Sequence, residues 1–123
     1  MATIELTQEN FEQTVNENAM VLVDFWAPWC GPCRGFAPVY EQASEAHPDM
    51  VFAKVNTDEQ QDLAGAFAIR SIPTLIVFRE KVIVFQQPGA LPGAQLEQVI
   101  TQAKALDMAK VHAEVAAQPE QQK

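Results

Sequence analysis

Basic side chains are scarce in this chain: eight Lys and Arg stand against sixteen Asp and Glu, a formal net charge of −8 over 123 residues. With no basic cluster to meet phosphate groups, neither nucleic acid nor an anionic membrane surface is expected as a partner. Long apolar runs are also missing, and none approaches the roughly 20 residues of a membrane-spanning helix. The N-terminal Met1-Ala2-Thr3-Ile4-Glu5 has no basic region followed by an apolar core. No signal peptide is therefore expected, and a reducing cytoplasm is the expected compartment. The five glycines form no dinucleotide-binding fingerprint, so no nucleotide cofactor is expected on the chain itself. Internal repeats and interdomain linkers are absent. His47 and His112 stand alone, which leaves the two cysteines without companions at zinc spacing, and no metal is expected.

Those two cysteines organise the chain. They lie in Trp29-Cys30-Gly31-Pro32-Cys33, directly after the apolar run Val21-Leu22-Val23-Asp24-Phe25-Trp26-Ala27. A strand that delivers Cys-x-x-Cys to the first turn of a helix is a redox arrangement. There the first thiol meets unpaired N–H groups and the positive end of the helix dipole, ionises more readily and becomes a nucleophile. Gly31 lets a disulfide partner approach the backbone closely, and Pro32 sets φ in a turn where its missing N–H costs nothing. A purely structural disulfide would close too small a loop to contribute much entropic stabilisation. Asp24 interrupts the apolar run on the face of Leu22 and Trp26, so burial should raise its pKa. Two readings stand for such an acid: a structural carboxylate satisfied by hydrogen bonds, or a group poised to move a proton. Lys54, inside Val51-Phe52-Ala53-Lys54-Val55, needs either a route to solvent or a partner.

The WCGPC motif, preceded by Val-Asp-Phe-Trp-Ala-Pro and followed by Ser71-Ile72-Pro73-Thr74, resembles the thioredoxin family in order and spacing from about Ile4 to about Ala103. The resemblance implies an α/β fold: a central mixed five-stranded sheet with helices on both faces. It implies that Asp24 accepts the proton of Cys33, and that Lys54 approaches Asp24 and tunes it. It further implies a cis peptide at Pro73 in a loop facing the cysteines, and a place near the active site for Gly89. Trp29, Gly31, Pro32, Ile72, Pro73, Gly89 and Ala90 would together form the substrate-binding patch around Cys30. Arg34 departs from the family's usual Lys and reads as a solvated residue.

In chain order, Ile4 to Leu6 reads as a strand, and Thr7 as the N-cap of a helix with Phe11, Val15 and Ala19 inward. The helix after Cys33 carries Phe36, Val39, Tyr40 and Ala43 and contains Pro38, which should bend it. Asn56-Thr57-Asp58-Glu59 reads as the start of a further helix with Leu63, Ala64 and Phe67 inward. Leu75–Phe78 and Val82–Phe85 form a hairpin. Its Glu80-Lys81 is poor chemistry for a two-residue turn, so a longer loop or a bulge is expected. Pro92 opens a helix with Leu96, Val99, Ile100 and Ala103 inward, and a thioredoxin domain of residues 1–105 closes there. Residues 106–117 read as a helical extension capped by Asp107, with a Met108, Val111 and Val115 stripe, and 118–123 as a disordered tail.

The function expected is that of a protein-disulfide reductase: Cys30 attacks a substrate disulfide and Cys33 resolves the mixed disulfide. Disulfide-containing proteins are the expected substrates of this monomeric electron carrier. If the resemblance holds, electrons come from NADPH through a flavin-containing thioredoxin reductase. The alternatives are a disulfide oxidase or isomerase, against which Gly-Pro between the cysteines speaks, and a non-enzymatic binding module, against which both cysteines speak.

Overall fold

The computed structural model describes residues 2–117. The fold has five strands, β1 (Thr3–Glu5), β2 (Met20–Trp26), β3 (Val51–Asn56), β4 (Thr74–Arg79) and β5 (Val82–Pro88), and five helices among the described residues. The helices are α1 (Phe11–Glu17), α2 (Gly31–Ala46), α3 (Gln61–Ala66), α4 (Gly93–Ala105) and α5 (Met108–Ala116). The strands form one sheet in the order β1-β3-β2-β4-β5. β2 runs parallel to β3 and antiparallel to β4, which makes the sheet mixed.

β2 lies at the centre because it is apolar on both faces: Val21, Leu22, Val23 and Phe25 are fully buried. Strand alternation divides them. Leu22 joins Phe36 and Tyr40 of α2, Phe52, Leu75, and Leu96 and Ile100 of α4 in one core. Val21, Val23 and Phe25 join Phe11 and Val15 of α1, Val55, Leu63 of α3 and Ile76 in the other. Helices on both faces of a mixed five-stranded sheet are thus what the pattern requires. The Tyr40 hydroxyl donates to the Ala53 carbonyl at 2.8 Å and ties α2 to β3.

Three local expectations are corrected. α1 begins at Phe11 rather than near Thr7, because the Thr7 hydroxyl accepts from the Glu9 N–H at 3.3 Å and closes a turn ahead of the helix. Ala19 falls after the helix and is exposed, so it lies outside the inner face. Asn56–Glu59 likewise form a turn, in which the Asn56 side chain accepts from the Asp58 N–H at 3.0 Å, and α3 starts only at Gln61. The hairpin meets its expectation in part. Its loop is the two-residue Glu80-Lys81, with φ of 51° and 73°, and no longer loop is present. The expected bulge does occur, as a register shift between Val77 and Phe78. Glu80 is held by its N–H to the Ala19 carbonyl at 2.8 Å and by its carboxylate to His112 at 2.9 Å.

α2 continues through Pro38 to Ala46, and α4 buries Leu96, Ile100 and Ala103 as expected. α5 forms where the Asp107 cap predicts it, and the Asp107 carboxylate accepts from the Lys110 N–H at 3.2 Å. Met108 is buried, while Val111 and Val115 are half-buried. Residues 118–123, expected as a tail, lie outside the described residues.

Candidate active site

Cys30 is the N-cap of α2. Its extended backbone (φ −87°, ψ 114°) turns the chain from the end of β2 into the helix, and Pro32 falls in the first turn. In that position Cys30 Sγ accepts the Cys33 N–H at 3.2 Å, one of the donors that a helix N-terminus leaves unpaired. The same donor and the helix dipole stabilise negative charge on Cys30 once the pair is reduced. Cys30 and Cys33 are joined as a disulfide. Both are nearly buried, at 4% and 3% exposure, and pack with Ala27, Trp26 and Ile72. The helix terminus thus acts on Cys30 Sγ, the sulfur that caps it.

The loop before β4 faces them. Ile72-Pro73 is a cis peptide, and the Ile72 carbonyl oxygen lies 3.7 Å from Cys30 Sγ, within reach of an S–H on the reduced thiol. Pro73 is buried and Ile72 half-buried. The Gly89 N–H donates to the Pro73 carbonyl at 2.7 Å and joins the loop after β5 to this one. Gly89 has φ of 101° and open space where a Cβ would stand, so glycine serves both the backbone conformation and access. Ala90 follows it, exposed. On the other side Gly31 and Pro32 are exposed on the first turn of α2, and Trp29 is 66% exposed. Exposed Trp29, Gly31, Pro32, Gly89 and Ala90 thus border a nearly buried disulfide.

Two residues that the sequence reading left unassigned take part. Asp58 holds Trp29 in place: its carboxylate accepts the indole N–H at 3.0 and 3.2 Å. Thr74 donates from its hydroxyl to the Ser71 carbonyl at 2.6 Å and fixes the turn around Pro73. The hydroxyl next to Pro73 was a readable signal for the second; the first is a contact between distant segments that sequence does not display. Arg34 is exposed and donates to the Pro28 carbonyl at 3.0 Å, in line with a solvated role.

Within β2, Asp24 is 1% exposed, and neither carboxylate oxygen accepts a hydrogen bond from a described residue. Desolvation pushes its pKa up from the ordinary 3.8 to about 7, against a smaller opposing pull from Lys54. Lys54 is paired in register with Asp24 on the neighbouring strand. No ion pair joins them, and the ammonium lies 4.5 Å from the centre of the Trp26 ring instead. Among the described residues, no group of three or more His, Cys, Asp or Glu is placed to hold a metal ion, and no helix is long and apolar enough to cross a membrane.

The thioredoxin family model matches residues 2–102. A thioredoxin 2 of Streptomyces coelicolor is 61% identical, with 98% of this chain and 90% of that protein covered. A thioredoxin of Alicyclobacillus acidocaldarius is 52% identical over 78% of this chain and 92% of its own length. Among solved structures, Plasmodium falciparum thioredoxin superposes with a TM-score of 0.75 at 37% identity, covering 81% of this chain and 97% of that one. Fasciola hepatica thioredoxin reaches the same TM-score, 0.75, at 31% identity over 81% and 97% of the two chains. With the cysteine pair at the head of α2 and the cis-proline loop facing it, the chain belongs to the thioredoxin family.

Proposed function

We propose that this chain is a protein-disulfide reductase whose proton transfer runs through Asp24. Cys30 as thiolate attacks one sulfur of a substrate disulfide; the S–S bond breaks and a substrate thiolate leaves, taking a proton from solvent. Asp24 takes the proton of Cys33, and the Cys33 thiolate attacks Cys30. That step releases the second substrate thiol and leaves the Cys30–Cys33 disulfide, so two electrons have passed to the substrate. A base with a pKa of about 7 is matched to a proton acceptor at neutral pH. Lys54, carrying positive charge in the register position beside Asp24, favours the ionised carboxylate and so limits how tightly the proton is held.

The substrate segment lies over Trp29, Gly31, Pro32, Ile72, Pro73, Gly89 and Ala90. NADPH supplies the returning electrons through a flavin-containing thioredoxin reductase, and the chain works as a monomeric electron carrier in the cytoplasm. Family membership and a low cysteine count support this setting.

The observation that carries the reading is Cys30 at the N-cap of α2, accepting the Cys33 N–H. It supports attack by Cys30 and resolution by Cys33. Cys33→Ser is therefore expected to trap a covalent substrate adduct on Cys30 and to abolish turnover, while Cys30→Ser forms no adduct. Non-reducing electrophoresis with peptide mapping distinguishes the two, and an adduct through Cys33 would reverse the roles.

A further inference from the structure

Lys54 has a second acidic neighbour. In the register of the sheet, Lys54 of β3 pairs with Asp24 of β2 on one side and with Glu5 of β1 on the other. Residues paired in register across parallel strands share a face, so Glu5, Lys54 and Asp24 form one row of acid, base and acid. The row runs from the edge of the sheet, where Glu5 is exposed, to its buried centre.

We propose that Glu5 is a positioning residue for the thiol–disulfide reaction, its carboxylate acting as the outer charge of this row and governing proton uptake by Asp24 through Lys54. This rests on the reading that Asp24 is the proton acceptor. Glu5 acts in two ways with one sign. Its negative charge opposes ionisation of Asp24 directly, and it shares the attraction of the Lys54 ammonium, which makes an ion pair with neither acid. The electrostatics of the row have the same sign: the Glu5 charge adds to the rise of the Asp24 pKa, after desolvation and against the pull of Lys54. Glu5 is itself raised, first by partial burial, against Lys54 and with Glu59 adding to the rise.

The other groups facing Asp24 do not substitute for it. On the β4 side Asp24 is paired with the apolar Leu75. From α2, Tyr40 directs its hydroxyl to the Ala53 carbonyl and titrates far above neutral pH, and the Glu41 carboxylate accepts from the Thr3 hydroxyl. Glu59 acts on Glu5.

The test is an NMR titration of the Asp24 side-chain carboxyl in the full-length oxidised protein, between pH 4 and 9, for the wild type, Glu5→Gln and Glu5→Asp. Two strand spacings separate the acids, so removing the charge is expected to lower the Asp24 midpoint by about 0.3–1 pH unit. Glu5→Asp, which keeps the charge, is expected to titrate close to the wild type. A Glu5→Gln midpoint that is unchanged or higher overturns the proposal. The pH–rate profile of disulfide reduction by Asp24→Asn tests the underlying reading separately. If that variant keeps the wild-type profile, Asp24 is not the proton acceptor, whatever Glu5 does to its titration.

Discussion

Asp24 concentrates an unusual burden in one side chain. It is buried among apolar groups without a hydrogen-bond donor, so ionisation is opposed by desolvation that Lys54 only partly offsets. The folded state holds its proton up to about pH 7, whereas the unfolded chain releases it near 3.8. Between those values the native state binds more protons, so stability is greatest at the acidic end and declines as pH rises towards 7. At ~1.4 kcal/mol per tenfold difference in proton affinity, the loss amounts to at most about 4 kcal/mol. Asp24→Asn is expected to be free of this decline. Urea unfolding at pH 5, 7 and 9 checks it: the variant should gain on the wild type as pH rises, and parallel curves would show that Asp24 is not the source. The sequence disclosed the burial of Asp24 through strand alternation. It did not disclose that Lys54 would rest on Trp26 and face Glu5 as well, because register pairs residues far apart in the chain and no local pattern encodes it.

At the scale of elements, the segments read most directly were those whose signals are local. β2 is a continuous apolar run, α2 is announced by Cys-Gly-Pro-Cys, and α5 by Asp107 with its Met108, Val111 and Val115 stripe. The α1 and α3 starts were misplaced because Thr7 and Asn56 close turns with their side chains before the helices begin, and a capping residue and a turn residue look alike in sequence. At the β4–β5 turn the bulge was legible and the two-residue loop was not, for another reason. Two non-glycine residues at positive φ are unfavourable locally, and contacts to Ala19, His112 and Arg79, all outside the turn, hold Glu80 there. Lys81 also sits at positive φ, 73°, so Lys81→Gly is expected to relieve strain and raise stability by about 0.5–1 kcal/mol. Glu80→Gly would relieve similar strain but lose its bonds to His112 and Arg79, and should gain less. Chemical denaturation of the two variants side by side measures the difference, and a destabilised Lys81→Gly would show that the lysine side chain, not the backbone, holds the turn.

Across the whole molecule, the redox site and the C-terminal helix occupy opposite ends of the same central strand. Cys30 follows the C-terminal end of β2, whereas the β4–β5 turn that His112 contacts lies beside its N-terminal end, where Met20 pairs with Arg79. Seven residues of extended chain separate these ends by about 20 Å. Nothing in α5 therefore touches the sulfur chemistry, while it does support the sheet: Met108 is buried, and the exposed His112–Glu80 pair holds the turn. Burial of a side chain of this size contributes about 1.5–3 kcal/mol and an exposed polar contact at most about 1 kcal/mol. Deleting residues 106–123 is accordingly expected to lower stability by about 2–3 kcal/mol and to leave the rate of disulfide reduction unchanged at temperatures where the shortened chain stays folded. Urea midpoints and turnover with a disulfide-containing protein substrate, measured on the same preparations, separate the two effects. Lost turnover in a shortened chain of undiminished stability would instead place α5 in the docking of substrate, and would make that helix part of the function rather than of its support.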